Sequence, residues 1–123
     1  MQFTAVLTLA CFLSLPVYVI STSGFAASCS NIQLSGSVLD ATCVTDSGST
    51  TATAIDLNNC VANYDGNLAC APSGSYSSSC DDCSLTDTTY LLCSCSGSSD
   101  GGDQPSGYNL DSCLGNNDGA LTC

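Results

Sequence analysis

The sequence contains no Lys, Arg, His or Glu, and its eleven Asp residues give a formal net charge of −11. Without Lys or Arg the chain cannot displace counterions from phosphates, which excludes nucleic-acid binding. The same absence removes the attraction to anionic lipid headgroups, so no membrane partner is expected after removal of the N-terminal segment discussed below. The one-sided charge predicts a soluble chain whose copies repel each other at neutral pH.

The missing residue types also remove most catalytic chemistry. His and Lys are common acid–base and nucleophilic groups, and a reactive thiolate usually has a neighbouring cation. A pair of carboxylates, as in glycosidases, is the only candidate left, and a domain this small has little room for a deep cleft. The pairs Asp81-Asp82 and Asp100/Asp103 show no EF-hand spacing, so they are interpreted as solvated charge. We therefore predict a protein that is not an enzyme and needs no metal or cofactor.

A long apolar run occurs only near the N-terminus, over residues 5–20. It is shorter than the roughly 20 residues of a membrane span, and small residues follow it, which is typical of a secretory signal. Cleavage after Ala26 would place Gly24 and Ala26 at the two small-residue positions. We predict a signal peptide over 1–26, a mature domain over 27–123, and an extracellular location.

The sequence has few charged residues but many cysteines. Ten of the eleven cysteines lie in the predicted mature part. An even number of cysteines in a short secreted chain predicts disulfides and not a metal site. Each bridge would stabilise the fold by roughly 2–4 kcal/mol in the chain-entropy model. Such bridges compensate for the modest core of a domain of this length.

The sequence repeats itself at a spacing of 53 residues. The segment IDLNNCVANYDGNLAC (55–70) aligns with YNLDSCLGNNDGALTC (108–123), and a looser match extends upstream of both. We interpret this as an internal duplication, with one repeat over about 29–70 and the other over about 80–123. Two copies are too few for a solenoid, so they predict one pseudo-symmetric domain.

The Asp-Gly dipeptides predict hairpins, because Gly adopts positive φ at little cost. A turn that leads into a strand is expected in each of 63–70 and 116–123, and a single helical turn before each. Short strands are expected around Ile32 to Leu39 and over 89–93. Segments rich in Ser, Thr and Gly predict exposed loops and a connection between the halves; these are 45–53, 96–107 and 71–79.

These segments resemble the cyanovirin-N homology family of lectins over essentially the whole mature chain. The most specific matches are GSVLDATC (36–43), IDLNNCVANYDGNL (55–68) and NLDSCLGNNDGAL (109–121). The resemblance implies an all-β fold of two pseudo-symmetric modules, each a three-stranded sheet plus a β-hairpin, with strands exchanged between the halves. It also implies non-catalytic binding of mannose-type glycans in shallow pockets at the two ends. The hinge of the family falls at Ala71-Pro72, so either a monomer or a domain-swapped dimer is expected.

The resemblance also implies two disulfides, Cys29–Cys43 and Cys80–Cys95, whose spacings of 14 and 15 positions match the family. Six cysteines remain, and sequence alone does not settle their pairing. The favoured arrangement is local, with bonds Cys60–Cys70, Cys83–Cys93 and Cys113–Cys123. The alternative exchanges partners between the halves, as Cys60–Cys123 with Cys70–Cys113.

Asp, Asn and Ser side chains and exposed turn backbone can hydrogen-bond the hydroxyl groups of a neutral sugar. By the resemblance, the first pocket contains Asn63, Tyr64, Asp65, Ser78, Ser79, Ser96, Gly97 and Ser98. The second contains Asn116, Asn117, Asp118, Val44, Thr45 and Asp46. The second pocket is expected to be weaker, because the segment before the first family cysteine is nearly absent after signal removal.

A different function is also open at this point. The Asp-Gly turns are required by the fold whether or not a sugar binds, and small residues such as Ala62 replace the longer side chains that clamp ligands in the family. The alternative is a secreted, cysteine-rich structural or interaction protein, such as an effector, with lost or altered sugar binding.

Overall fold

The computed structural model describes residues 23–97 and 102–123. The first half contains β1 (Cys29–Ser35), β2 (Val38–Val44), β3 (Thr50–Asp56), β4 (Val61–Tyr64) and β5 (Asn67–Cys70). The second half repeats this order with β6 (Cys80–Thr86), β7 (Tyr90–Ser96), β8 (Asp103–Asn109), β9 (Gly115–Asn117) and β10 (Ala120–Thr122). The helical segments among the described residues are short 3₁₀ turns at Phe25–Ala27, Leu57–Asn59, Tyr76–Ser78 and Leu110–Ser112.

Each half builds one antiparallel three-stranded sheet, in the orders β1-β2-β3 and β6-β7-β8, and one hairpin, β4-β5 or β9-β10. The hairpins are exchanged between the halves. The amide of Leu68 in β5 donates to Oγ of Ser106 in β8 at 2.9 Å, and the amide of Leu121 in β10 donates to Oγ1 of Thr53 in β3 at 3.1 Å. The predicted all-β fold of two modules with exchanged strands is confirmed.

The hairpin turns follow from the Asp-Gly dipeptides. Asp65 and Gly66 have φ of 56° and 91°, and Asp118 and Gly119 have φ of 52° and 91°. Positive φ at both central residues matches the twist of the flanking strands, as in type I′ turns. The predicted helical turns are confirmed at Leu57–Asn59 and Leu110–Ser112. The side chains of Asp56 and Asn109 cap them by accepting from backbone amides.

Two predicted loops are partly wrong, because β3 occupies residues 50–53 of the first and β8 occupies residues 103–107 of the second. The first segment contains Thr50, Thr51 and Thr53, and β-branched residues favour strands. The second contains Pro105, which lacks an amide hydrogen. Because β8 is an edge strand of its sheet, proline is tolerated there.

The core lies between the two sheets and is built from equivalent residues of the halves. Leu39 and Leu91, Leu57 and Leu110, and Phe25 and Tyr76 are such pairs, and all are buried to 1% exposure or less. The side chains of Cys43, Cys60, Cys95 and Cys113 complete the centre of this core. No polar or charged residue is buried in the part of the chain that the structure describes.

Disulfides pair all ten cysteines of residues 29–123. The bonds Cys29–Cys43 and Cys80–Cys95 are confirmed, as is Cys83–Cys93. The favoured local bonds Cys60–Cys70 and Cys113–Cys123 are wrong, since the structure has Cys60–Cys123 and Cys70–Cys113. The exchanged hairpins bring the four cysteines together between the halves, with Cα separations of 5.8 and 5.7 Å that suit a disulfide.

Candidate functional site

The first predicted pocket lies where the β4-β5 hairpin meets the sheet of the second half. The side-chain amide of Asn63 donates to Oγ of Ser79 at 2.9 Å and to the carbonyl of Ser96 at 3.0 Å. Its oxygen accepts from the amide of Gly66 at 2.7 Å. Both amide hydrogens of Asn63 are therefore engaged in fixing the hairpin, so this side chain positions its neighbours and has no donor left for a ligand.

The second predicted pocket repeats this arrangement at the opposite hairpin. The amide of Asn116 donates to Oγ of Ser28 at 2.8 Å and to the carbonyl of Val44 at 2.9 Å. Its oxygen accepts from the amide of Gly119 at 2.7 Å. We call Asn63 and Asn116 the hairpin anchors, because each joins a β-hairpin to the three-stranded sheet of the other half.

The groups that face solvent at the first end surround its turn. Asp65 is exposed, and Gly97, which is itself buried, lies beside it, since a Cβ added to Gly97 would lie 3.1 Å from the carbonyl oxygen of Asp65. Tyr64 is 59% exposed at the end of β4. The hydroxyl of Ser96 donates to the carbonyl of Ser79 at 3.2 Å, which holds these two residues together. This end thus presents a carboxylate, a phenol and turn backbone.

Ser78 and Ser98 complete the set predicted for the first end. Ser78 is exposed, and its hydroxyl donates to the carbonyl of Ser75 at 2.8 Å. Ser98 lies outside the described residues. The hydrogen-bonded group at this end is therefore Asn63, Gly66, Ser79 and Ser96.

The second end presents hydroxyls in place of the tyrosine. Oδ1 of Asp118 accepts from the amide of Asp46 at 2.8 Å, which joins the turn to the β2–β3 loop. In that loop Oγ1 of Thr45 lies 3.0 Å from Oγ of Ser47 and 2.8 Å from Oγ of Ser49. These hydroxyls can donate to or accept from a polar ligand. Asn117 and Val44 are exposed next to them, and Val44 is 41% exposed.

Sequence reasoning missed the residues that receive the hairpins. Ser106 and Thr53 accept backbone amides from β5 and β10, and the side-chain amide of Gln104 donates to the carbonyl of Gly66 at 3.3 Å. Two of them could have been found from the sequence. The 53-residue spacing that aligns the repeats also aligns Thr53 with Ser106, so both repeats carry a hydroxyl side chain at this position. Gln104 has no such signal, since its counterpart is Thr51.

The segment before β1 is part of the folded core. Phe25 is fully buried, its amide donates to the carbonyl of Leu114 at 3.1 Å, and the amide of Ala26 donates to Oδ1 of Asp111 at 2.8 Å. Phe25 occupies the position that Tyr76 holds in the second half. These contacts attach the start of the first half to the 3₁₀ turn of the second.

The phenol of Tyr76, whose pKa is shifted, belongs to neither candidate end. Burial, and to a lesser degree the carboxylate of Asp56, raises the pKa of Tyr76, so this phenol stays neutral well into the alkaline range. Over residues 23–97 and 102–123 no three His, Cys, Asp or Glu side chains are grouped to hold a metal ion. In the same part of the chain, no helix has the length and hydrophobicity needed to cross a membrane.

Comparison with known proteins identifies the family. The model of the CVNH domain matches residues 25–122. The chain therefore belongs to the CVNH family, a family of carbohydrate-binding lectins, as its repeats indicated. A comparison with curated proteins gives no match.

Solved structures agree with this assignment. The CVNH protein of Gibberella zeae is 27% identical with a TM-score of 0.73, over 80% of this chain and 95% of that one. Microvirin in complex with mannobiose is 28% identical with a TM-score of 0.67, over 81% and 97%. A MoCVNH3 variant in complex with (N-GlcNAc)4 has a TM-score of 0.75 over 85% and 99%, and at 21% identity it supports the fold alone.

Proposed function

We propose that this protein is a secreted lectin that binds neutral glycans of the mannose type, or of a related type, without catalysis. The observation that carries the proposal is the pair of hairpin anchors in a CVNH chain. Each anchor holds an Asp-Gly turn, whose aspartate is exposed, against the last residue of a strand in the other half. Carboxylate, hydroxyl and backbone groups at these turns can hydrogen-bond sugar hydroxyls. Two similar structures hold mannobiose and an N-acetylglucosamine oligomer.

The ligand-contacting residues differ from the anchoring ones in this proposal. At the first end they are Tyr64, Asp65, Ser78, Ser96, Gly97 and Ser98. At the second end they are Val44, Thr45, Asp46, Asn117 and Asp118. Asn63, Ser79 and Asn116 position these groups. The exposed Tyr64 favours the first end as the stronger site, because Asn117 takes the equivalent place at the second.

Calorimetry with mannobiose and a branched oligomannoside tests the proposal. Asp65→Asn and Asp118→Asn keep the turn but replace the carboxylate, so each is expected to weaken its own site at least about tenfold, as for loss of a hydrogen bond to a charged group. Asp40→Asn, an exposed substitution on β2, is the control and should leave binding unchanged. Absence of saturable heat from folded protein, followed by failure on a broad glycan panel, would favour the interaction-protein alternative.

Secretion is part of the proposal, and the buried Phe25 refines the expected cleavage point. Cleavage after Ala26 would remove Phe25 from the core and the amide bond to Leu114. Cleavage after Ser23 keeps both and places Ser21 and Ser23 at the small-residue positions. We propose that the mature chain starts at Gly24, which mass spectrometry of the secreted protein would measure.

The proposed oligomeric state is a monomer. In a swapped dimer that opens at Ala71-Pro72, the bonds Cys60–Cys123 and Cys70–Cys113 would join two chains. A non-reducing gel distinguishes the two states, since only the swapped dimer would run at twice the mass without reductant.

A further inference from the structure

The outer face of the second sheet carries exposed apolar side chains. Along β7 the residues alternate, so that Leu91, Cys93 and Cys95 are buried while Tyr90 and Leu92 are 39% and 38% exposed. Opposite them on β8 lie Asn109 and Gly107, and Pro105 pairs with Ser94. Cross-strand partners share one face of a sheet, so these residues form a continuous surface. We call it the β7 face.

The ring of Tyr90 lies against the backbone of Gly107. A Cβ added to Gly107 would collide with Cε2, Cζ and the hydroxyl of Tyr90. The ring therefore covers β8 from the diagonal position, and the absence of a side chain at residue 107 allows it to lie close to the sheet. Since the side chain is 39% exposed, its outward side forms an apolar surface open to solvent.

The first half shows that the fold does not require this surface. The equivalent residues in β2 and β3 are Val38 for Tyr90, Asp40 for Leu92 and Ala54 for Gly107. Asp40 is exposed and charged at the place where the second half has leucine. The two sheets have the same strand order, so the exposed apolar residues of the second sheet are a difference that the shared fold does not require, as is the disulfide Cys83–Cys93.

The β7 face continues into the first candidate site. Ser96 ends β7, and its carbonyl accepts the amide of Asn63. Ser96, Ser94, Leu92 and Tyr90 follow one another along the same side of the strand. The distance along the strand from Ser96 to Tyr90 is about 20 Å. A disaccharide bound at the first end is too short to reach Tyr90.

We propose that the β7 face extends the first carbohydrate site, and that Tyr90 stacks on a distal sugar ring of a linear oligosaccharide. This inference rests on the proposed lectin function. The ligand class is an oligosaccharide of at least four pyranose units with equatorial ring substituents, such as β-linked N-acetylglucosamine. Such rings expose a flat face of C–H groups, which pairs with the face of an aromatic side chain. The row from Ser94 to Tyr90 is itself uncharged, and the exposed carboxylate of Asp81, cross-strand from Ser94, can accept hydrogen bonds from sugar hydroxyls.

The test compares N-acetylglucosamine oligomers of two, four and six units by calorimetry. Wild-type protein is expected to bind the tetramer and hexamer at least tenfold more tightly than the dimer. Tyr90→Ala and Leu92→Asp should remove this gain and leave dimer binding unchanged, while Tyr90→Phe should retain it. Val38→Ala, the equivalent position of the first half, is the matched control. Thermal unfolding and intact disulfides establish that each variant is folded.

The possible failures are distinguishable. Wild-type protein that binds the dimer and the longer oligomers equally, or a gain that persists in both Tyr90→Ala and Leu92→Asp, overturns the extended site and leaves the lectin proposal intact. Protein that binds mannosides but no N-acetylglucosamine oligomer also overturns the extended site and leaves the lectin proposal intact. Folded protein that binds no saccharide at all overturns the lectin proposal, and the extended site with it.

Discussion

Asn63 and Asn116 each use both amide hydrogens and the amide oxygen to hold a hairpin on the opposite sheet. The neighbouring Asp65 and Asp118 remain exposed at the surface. In each Asn-x-Asp-Gly turn the asparagine therefore anchors the hairpin and the aspartate places a carboxylate at the surface, where Asp118 also accepts the amide of Asp46. The sequence predicted both residues as members of one pocket, because residue type alone does not show which amide hydrogens are already engaged.

Replacing an anchor is expected to destabilise the fold. Asn63→Ala removes three hydrogen bonds, and at about 0.5–1.5 kcal/mol each the free energy of unfolding should fall by about 1.5–4.5 kcal/mol. Guanidinium unfolding measures this. Asn67→Ala is the matched control, because the side chain of Asn67 is exposed and makes a single contact of 3.4 Å to the carbonyl of Tyr64. Equal losses in the two variants would contradict the anchoring role.

Tyr76 is expected to make stability depend on pH in the alkaline range. Its pKa is raised in the folded state by burial and by Asp56, so above about pH 10 the unfolded chain releases the phenol proton while the folded chain keeps it. The stabilisation is complete below this pH and is lost as pH rises through the folded-state pKa. Tyr76→Phe should lose less stability on going from pH 9 to pH 11 than wild type. A Tyr76→Phe curve identical to wild type would contradict the prediction.

At the scale of elements, the hairpins were predictable, whereas parts of β3 and β8 were predicted as loops. Asp-Gly between apolar residues has a single strong backbone preference, which the φ values of Asp65 and Gly66 satisfy. β3 and β8 have no signal of this strength, because β3 is mostly Thr and Ala and β8 is polar and contains Pro105. They become strands by pairing with β2 and β7, whose apolar alternation fixes the register.

The turn glycines are expected to differ in their tolerance of a side chain. A Cβ on Gly66 would collide with the side-chain amide of Gln104, whereas a Cβ on Gly36 meets nothing within 4 Å. Both glycines have positive φ, so both alanine variants carry a left-handed penalty of about 1–2 kcal/mol. Gly66→Ala should lose additional stability in chemical unfolding, since it also displaces Gln104 from the carbonyl of Gly66. Similar losses for the two variants would show that the turn can move away from β8.

For the whole molecule, the exchange of hairpins decides the disulfides that sequence reasoning got wrong. Cys60 and Cys70 are near in sequence and flank the same hairpin, so a local bond was the simpler expectation. Each cysteine instead meets a partner from the other half, Cys123 or Cys113. The repeat was visible in the sequence, but the contact between repeats was not, because equivalent residues have equal chemistry in both halves.

The bonds between the halves are expected to stabilise the fold more than a bond within one sheet. In the chain-entropy model, the separation of 63 residues for Cys60–Cys123 corresponds to about 4 kcal/mol once Cys70–Cys113, which would shorten the open loop, is removed as well. The separation of 14 for Cys29–Cys43 corresponds to about 3 kcal/mol. A variant with alanine at all four cysteines between the halves should therefore lose more stability in guanidinium unfolding than a variant with alanine at Cys29 and Cys43. The reverse order would indicate that residual structure in the unfolded chain already brings the halves together.

Salt is expected to stabilise the protein at neutral pH. The eleven carboxylates face no cationic side chain, so their mutual repulsion opposes the compact state. Because the Debye length falls from about 10 Å at 0.1 M to about 3 Å at 1 M, the melting temperature should rise across a sodium chloride series. A melting temperature that stays constant or falls would show that the carboxylates are too far apart to repel in the folded state.

The disulfides Cys60–Cys123 and Cys70–Cys113 also bear on the origin of the fold. Position 60 is equivalent to 113, and position 70 to 123, so both disulfides join the same two repeat positions in opposite directions. A single-repeat ancestor would have left its hairpin without a sheet to receive it, unless a second copy supplied one. Two such copies related by a twofold axis would form the same bond twice, since a symmetric interface repeats each contact. The two repeats of this chain are in this sense related as the two subunits of a disulfide-linked homodimer would be.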